Sequence, residues 1–344
     1  MRKGSSYMKN MFRIMAEKLK KGESLVMVTV IASSGATPRG AGARMLVGKD
    51  GRICGTIGGG AVEYRSLQIA LQVLESGSSR EQDFSLTKDD VQKLGMICGG
   101  DVRVFFSFLR AGDEEVLALA QRAENCFAQG KNMWLISDVG REGKMGLYTR
   151  EDGLFGTAVP DWLLAKLTRR PERFREGNLD LFVEQINSSG KVYVFGGGHV
   201  SQQLVPVLSK VGFSCVVLED RPEFADPALF PTAQEVLLID FEKIGQWITV
   251  GEEDYACVMT RGHAHDTVIQ AQLLKTPACY IGVIGSAGKK AGVYKILYSQ
   301  GFTPEDTARI TSPIGLSILA ETPEEIAISI AGQMIMHRAQ RRQI

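Results

Sequence analysis

The sequence predicts an α/β protein in two parts: an N-terminal mixed α+β domain over residues 1–187 and a C-terminal Rossmann-like, doubly wound parallel sheet over residues 188–344. Three observations carry that prediction. In KVYVFGGGHVSQQL, Lys191 to Leu204, an apolar run of strand character feeds a triple glycine that opens an amphipathic helical pattern. Short apolar runs at Val192, Val216, Val236 to Ile239, Ala256 to Met259 and Ala278 to Ile284 then alternate with helical patterns, as parallel strands joined by crossover helices require. Before it, strand-like segments crowd together, and a charged, turn-rich stretch from Arg169 leads to a boundary near Asn187 to Gly190.

Taken in order, the N-terminal part opens with a helix, because Met8, Met11, Phe12, Met15 and Leu19 recur at helical spacing. Strands follow at LVMVTVIA from Leu25, ARMLVG from Ala43 and RICGTI from Arg52, the last two joined by the turn Lys49-Asp50-Gly51. A helix from about Ala61 to Glu75 comes next, and then strands at Asp101 to Leu109, Asn132 to Val139 and Lys144 to Thr149, with a helix near Asp113 to Gln129 between the first two. LDLFVEQI from Leu179 is strand-like, and no exact repeat or low-complexity tract is visible. In the C-terminal part the last helix begins at Thr322-Pro323-Glu324, with Thr322 as N-cap and proline at the first helical position; its basic end, His337 to Arg342, complements the helix dipole.

Size and charge bound the function. At 344 residues the chain can hold two cores, and 40 Lys and Arg against 39 Asp and Glu argue against nucleic-acid binding or a polybasic membrane contact. Arg2 and Lys3 make the N-terminus basic, but no apolar stretch follows and none approaches membrane-spanning length, so a cytoplasmic location is expected. Six cysteines, at 54, 98, 126, 215, 257 and 279, lack C-x-x-C spacing, which indicates neither a disulfide framework nor a zinc ribbon. Cys215, Cys257 and Cys279 sit in apolar runs and read as small core residues.

Chemistry in such a sheet gathers beyond the carboxyl ends of its strands. Gly196 and Gly198 hold the first two positions of G-x-G-x-x-G, allowing a tight turn and a close approach of backbone N–H groups to a pyrophosphate, while Ser201 replaces the third glycine. His199 follows that turn, and the second strand ends in Glu219, Asp220 and Arg221, where an acid commonly meets a ribose hydroxyl. TRGHAHD, Thr260 to Asp266, supplies Arg261, Gly262, His263, His265 and Asp266. His199, His263, His265 and Asp266 are compatible with a metal site, and the segment equally with a turn whose polar groups cap the next helix or with a ligand pocket in which Arg261 forks onto phosphate, the histidines donate hydrogen bonds or protons, and Asp266 caps a helix or orients a ring. Ser286 with Lys289 and Lys290 would add charge near a further helix start, or lie on a solvated face.

The N-terminal half has glycine signals too. SSGATPRGAGARM places Pro38, Arg39 and Arg44 between two strands, and TIGGGAVE sets Gly58, Gly59 and Gly60 at a helix entrance, as an anion site or for close backbone packing. MICGGDV places Cys98 before two glycines, where a thiol could ligate a soft metal, react, or be inert.

Together these blocks, with LEDRPEFA, IGVIGSAGKK and SPIGLSILAETPEEIAISI, resemble the XdhC/CoxI accessory factors of molybdenum hydroxylases such as xanthine dehydrogenase, over nearly the whole chain. The resemblance implies a cofactor-insertion chaperone. Such a protein binds the molybdenum cofactor, a pterin (molybdopterin) with a phosphate or dinucleotide tail, holds it while a cysteine desulfurase supplies the sulfido ligand, and delivers it to the apo-hydroxylase. It implies that Gly196 to Ser201 receive the phosphate, that Arg261, His263 and His265 face pterin or phosphate, and that Cys98 approaches molybdenum. The alternatives are an NAD(P)-dependent oxidoreductase, favoured by the fingerprint and Asp220, and an enzyme that modifies the molybdenum centre with Cys98 as sulfur relay. A homo-oligomer is expected, since a carrier often encloses its ligand between subunits.

Overall fold

The computed structural model describes residues 5–35, 40–85, 100–140, 143–187, 190–261, 265–285 and 287–341, with 5, 6, 35, 85, 100, 187, 287 and 289 described by backbone alone. The chain divides into two units, Lys3–Ser188 and Ser189–Arg341.

In the first unit, α1 (Ser5–Lys20) leads into β1 (Leu25–Gly35), β2 (Arg44–Gly48), β3 (Gly51–Thr56), α2 (Gly60–Ser76), β4 (Arg80–Ser85) and β5 (Gly100–Leu109), whose strands form an antiparallel sheet in the order β3-β2-β1-β5-β4. The chain then repeats the plan. Helix α3 (Glu114–Ala128) leads into β6 (Met133–Asp138), β7 (Met145–Thr149), β8 (Gly153–Gly156), α4 (Asp161–Ala165), β9 (Glu172–Glu176) and β10 (Leu179–Asn187), again antiparallel in the order β8-β7-β6-β10-β9. The unit is thus two copies of one topology, helix, three strands, helix, two strands. No repeat is visible in the sequence, because what the copies share is strand pairing and not residue identity.

Layering explains why these sequences fold so. Leu25 and Met27 of β1 point into a core shared with Met8, Phe12, Met15 and Leu19 of α1 and Leu119, Ala120, Ala123 and Phe127 of α3. Alternate residues Val26, Val28 and Val30 point the other way, onto Val62, Ala70 and Val73 of α2. A strand covered on both faces must be apolar throughout, which is why LVMVTVIA shows no polar alternation. The second sheet likewise packs Leu135 and Leu147 on the shared helical core and Trp134, Ile136 and Leu181 on α4.

In the second unit, β11 (Lys191–Phe195), α5 (His199–Lys210), β12 (Ser214–Glu219), β13 (Glu235–Leu238), β14 (Tyr255–Val258), α6 (Asp266–Leu273), β15 (Tyr280–Val283), α7 (Ala287–Ser299), α8 (Pro304–Ala308), β16 (Ile310–Thr311) and α9 (Pro323–Arg341) form an all-parallel sheet in the order β13-β12-β11-β14-β15-β16. Helices α5 and α9 cover one face and α6 and α7 the other. The winding direction reverses between β11 and β14, so ligand space opens beyond the carboxyl ends of those two strands. Among the described residues, no helix is long and apolar enough to cross a membrane.

Candidate functional site

At the reversal point the turn after β11 presses against the end of β14. Gly196 has φ +107°, and a Cβ built there would stand 2.9 Å from the carbonyl carbon of Met259 and nearer still to its oxygen. Only glycine supplies that conformation and that closeness. A Cβ at Gly198 would meet nothing within 4 Å, so the turn is open on the side where the fingerprint places phosphate. Helix α5 starts at His199 with no side-chain cap and no acid in its first turn, whereas α3 is capped by Asp113 and α8 by a Thr303–Asp306 capping box. Its first N–H groups and positive dipole end are available to an anion. His199 is exposed there, and Arg261, just past β14, is exposed as well. Ser201 is buried with its hydroxyl unpartnered, tight against the sheet at the third fingerprint position.

Glu219, the last residue of β12, fixes this turn from behind. Its buried carboxylate accepts the Gly197 N–H at 2.6 Å, those of Asp220 and Arg221 at 3.0 and 3.2 Å, and a fork from Arg221, Nε at 3.0 Å and Nη2 at 2.9 Å. The Arg221 guanidinium in turn lies 4.0 Å from the Phe224 ring centroid. Arg221 is therefore committed to the protein, and the sequence expectation that it faces a ligand is corrected: its fork is spent on Glu219.

Burial opposes the charge on Glu219, but the Arg221 fork, the Asp220 carboxyl and the backbone N–H groups outweigh it and bring its pKa down to about 2. The neighbouring Asp220 moves the opposite way, pushed up by burial and by Glu219. Because the unfolded glutamate titrates near 4.5, the unfolded chain takes up its proton first as pH falls. The stabilisation from Glu219 is whole above about pH 5 and lost on the way to about pH 2. In thermal melts the gap between wild type and Glu219→Gln should be widest at neutral pH and close across that acid window.

Asp220 and His265 face each other, Oδ2 to Nε2 at 3.3 Å, both partly exposed. The His265 ring also lies 5.5 Å from that of Phe241, and its Nδ1 is 4.0 Å from Glu242. Asp266 is buried and accepts from the Thr260 hydroxyl at 2.6 Å and the Thr260 N–H at 3.3 Å. It ties the two ends of the Arg261-to-His265 loop together, and so positions that loop from the start of α6. Gly262, His263 and Ser286 lie outside the described residues, as does the side chain of Lys289. Lys290 donates to Ser312 O at 3.3 Å and lies 5.2 Å from the Tyr294 ring, which makes it a tether. Among the described residues no group of three or more His, Cys, Asp or Glu could hold a metal ion.

The first unit concentrates its glycine blocks at one sheet edge. Gly35 pairs with Gly100, Ser85 with Asp101, and Arg44 with both Thr29 and Thr56, so the ends of β1, β3 and β4 and the starts of β2 and β5 lie together. The two copies differ there. Where the second joins β9 to β10 through Gly177 and Asn178 alone, the first inserts residues 86–99, and its β1–β2 connection is also longer than that between β6 and β7. The fold itself needs neither extension. Arg39 and Cys98 lie on these connections, outside the described residues.

Two other expectations at this edge are corrected. Arg44 is fully buried in an ion pair with Glu184 of β10, its Nε 3.4 Å from Thr29 Oγ1, because β2 is covered on both faces and its first residue points into the interior. Gly58, Gly59 and Gly60 all have positive φ, and the anion that this turn receives is internal. Glu63 accepts the N–H groups of Ile57 and Gly59, each at 3.1 Å, together with the Thr56 hydroxyl and Arg52. Burial works against its charge, and these partners more than compensate, holding its pKa below the usual range. Both glycine turns thus carry a built-in glutamate, Glu63 and Glu219, that sequence reasoning passed over as a site residue. For Glu63 a signal was present, since a glutamate three residues into a helix commonly folds back on the turn before it.

The core cysteines behave as their apolar settings suggest. Burial pushes the Cys215 thiol up to about 12 and Cys279 to about 11, and it raises Cys257 further. A thiolate-directed reagent on native protein near pH 8 should leave Cys215 and Cys257 unlabelled until denaturant is added, as peptide mapping would show.

Comparison with known proteins fits this arrangement. The family model described as "XdhC Rossmann domain" matches residues 192–334, and that of the "XdhC and CoxI family" matches residues 19–85. The chain is 28% identical to a probable xanthine dehydrogenase subunit of Bacillus subtilis (strain 168), covering 96% of this chain and 98% of that one. It is 23% identical to the molybdenum cofactor insertion chaperone PaoD of Escherichia coli (strain K12), covering 95% and 87%. A crystal structure described as a xanthine dehydrogenase from Bacillus halodurans superposes with a TM-score of 0.75 at 27% identity, over 96% of each chain.

Proposed function

The chain belongs to the XdhC and CoxI family, and from that premise we propose that it is an accessory factor of a molybdenum hydroxylase, carrying the molybdenum cofactor as cargo to the apo-enzyme. The observation that supports this most directly is the uncapped start of α5 at the sheet's reversal point, beside the open side of Gly198 and the exposed Arg261. That donor set suits a phosphate: backbone N–H groups, a helix dipole and a guanidinium, with no acid in the first turn. The Asp220–His265 pair, just past β12, suits the ribose hydroxyls of a dinucleotide tail. Sulfuration by a cysteine desulfurase while the cargo is held, with Cys98 meeting the molybdenum, is part of the same reading. Insertion needs no turnover by this chain.

Anaerobic co-purification with extraction of bound pterin tests the reading and identifies the tail. A Gly198→Val variant is the sharpest control, because a Cβ there meets no protein atom within 4 Å and the side chain grows from the open side of the turn. Its melting temperature should stay near wild type, and its retained pterin should fall by about tenfold or more, the loss of one well-placed anion contact. Micromolar retention of NADH with no molybdopterin would make the protein an NAD(P)-dependent oxidoreductase instead. Full sulfuration of the cofactor by Cys98→Ser would remove Cys98 from the scheme.

A further inference from the structure

In a dinucleotide-binding sheet, the acid at the end of the second strand takes a ribose hydroxyl. Here that residue, Glu219, has both oxygens spent on the protein: Oε1 on the N–H groups of Asp220 and Arg221 and on Arg221 Nε, Oε2 on the Gly197 N–H and Arg221 Nη2. Asp220, one residue on, stands partly exposed. Its Oδ2 is 3.3 Å from His265 Nε2 and its Oδ1 3.9 Å from Arg221 Nε, beyond hydrogen-bond reach, so lone pairs on both oxygens can still accept. Glu242 faces the other nitrogen of the same ring, Oε1 to Nδ1 at 4.0 Å, and is more exposed than either.

The segment that carries Asp220 is held in place. A Cβ on Gly197 would stand 3.3 Å from the Phe224 carbonyl carbon and nearer still to its oxygen, which sets this segment against the glycine turn itself. The Phe224 and Ala225 N–H groups both bond to Arg221 O, at 3.1 and 3.0 Å. An arginine at this place in the fold can accommodate an extra phosphate on the ribose. Arg221 does not offer that, because its fork is on Glu219 and its guanidinium lies over the Phe224 ring. What faces His265 from either side is a carboxylate, Asp220 or Glu242.

We propose that Asp220, with His265 and Glu242 beside it, selects a nucleotide tail whose ribose hydroxyls are free and rejects one that carries a phosphate on that ribose. A free hydroxyl has a proton to give to Asp220. An esterified one has none, and its phosphate brings about two negative charges toward two carboxylates with the nearest arginine already committed. The inference rests on reading the α5 turn as the anchor of a nucleotide's own phosphate, and it adds which nucleotides that anchor serves.

Isothermal titration of the full chain, freed of pterin, with AMP and with adenosine 2′,5′-bisphosphate tests it, since the two ligands differ only by the phosphate on the ribose. AMP should bind at least about thirtyfold more tightly, the combined effect of a lost hydrogen bond and like-charge repulsion. Asp220→Asn keeps the shape and removes the charge, so its melting curve should stay near wild type while the ratio falls at least about fivefold. A merely structural aspartate would weaken both ligands alike and leave the ratio unmoved. Gly198→Val should also weaken both together, because it acts on the shared anchor. Equal binding of the two ligands by wild type, or a ratio indifferent to Asp220→Asn, would overturn the proposal and leave the anchor standing. AMP left unbound at millimolar concentration by a chain that co-purifies with pterin would overturn it with the carrier reading intact; AMP unbound and no pterin retained would remove both.

Discussion

Gly196→Ala is expected to abolish the native fold of the C-terminal unit, with a stability loss of about 3 kcal/mol or more. Two independent penalties meet at this residue. Its φ of +107° lies where an L side chain is strained, and the added methyl would press on the Met259 carbonyl and the Thr260 Cα, 3.1 Å away. Neither neighbour can yield, because Met259 N–H is bonded to Phe195 O at 2.8 Å and Thr260 is clamped by Asp266. Moving them would unzip β11 from β14, the pair that defines the reversal point. Urea denaturation with far-ultraviolet circular dichroism, run beside Gly198→Val, checks the contrast. Two glycines two residues apart should separate cleanly, Gly196 governing stability and Gly198 governing ligand retention. Equal loss of stability in both variants would mean that the open side of the turn supports the fold and is not ligand space.

That contrast also shows what the sequence can and cannot reveal. The β11–glycine–α5 turn was legible because its physics is local: an apolar strand, glycines where the backbone must bend, and an amphipathic helix within fifteen residues. Three strands were missed in the first unit: the four-residue β8, and β4 and β9, which read REQDFS and ERFRE. The last two are edge strands, where charge on the open side prevents unwanted pairing and erases the apolar alternation that reveals a strand. They also occupy the same place in the two copies, so the duplication stayed hidden with them. Side-chain roles were the least legible, near partners included, since neither glutamate was read as the anchor of its glycine turn. The Glu63 and Glu219 carboxylates fold back onto turns four and twenty-two residues away, whereas the fate of Arg44 depends on a glutamate 140 residues downstream. Its place beside glycines makes Arg44 a candidate cofactor contact on sequence alone. Its burial against a second sheet could not be read without the duplicated fold.

Arg44 and Glu184 therefore make the second large prediction. Arg44→Met or Glu184→Leu alone should cost about 3–5 kcal/mol, because each leaves one charge buried without its counter-ion. The side chains are 0% and 3% exposed, so water cannot take the missing partner's place. Among the described residues the further neighbours of its guanidinium hydrogens are Thr29 Oγ1 at 3.4 Å and Met8 Sδ at 3.9 Å, and neither carries charge. The double variant should behave differently. With both charges gone, the introduced methionine and leucine side chains would sit beside Met8 in a site closed to water, and stability should return to within about 1–2 kcal/mol of wild type or exceed it. Denaturant titration of the four proteins closes a double-mutant cycle whose coupling energy measures the pair. If the arginine instead served a ligand, the two single losses would be small and would add. A large coupling with recovered stability would establish that this arginine joins the two copies of the fold, β2 of the first to β10 of the second, and that selection on it acts through the core.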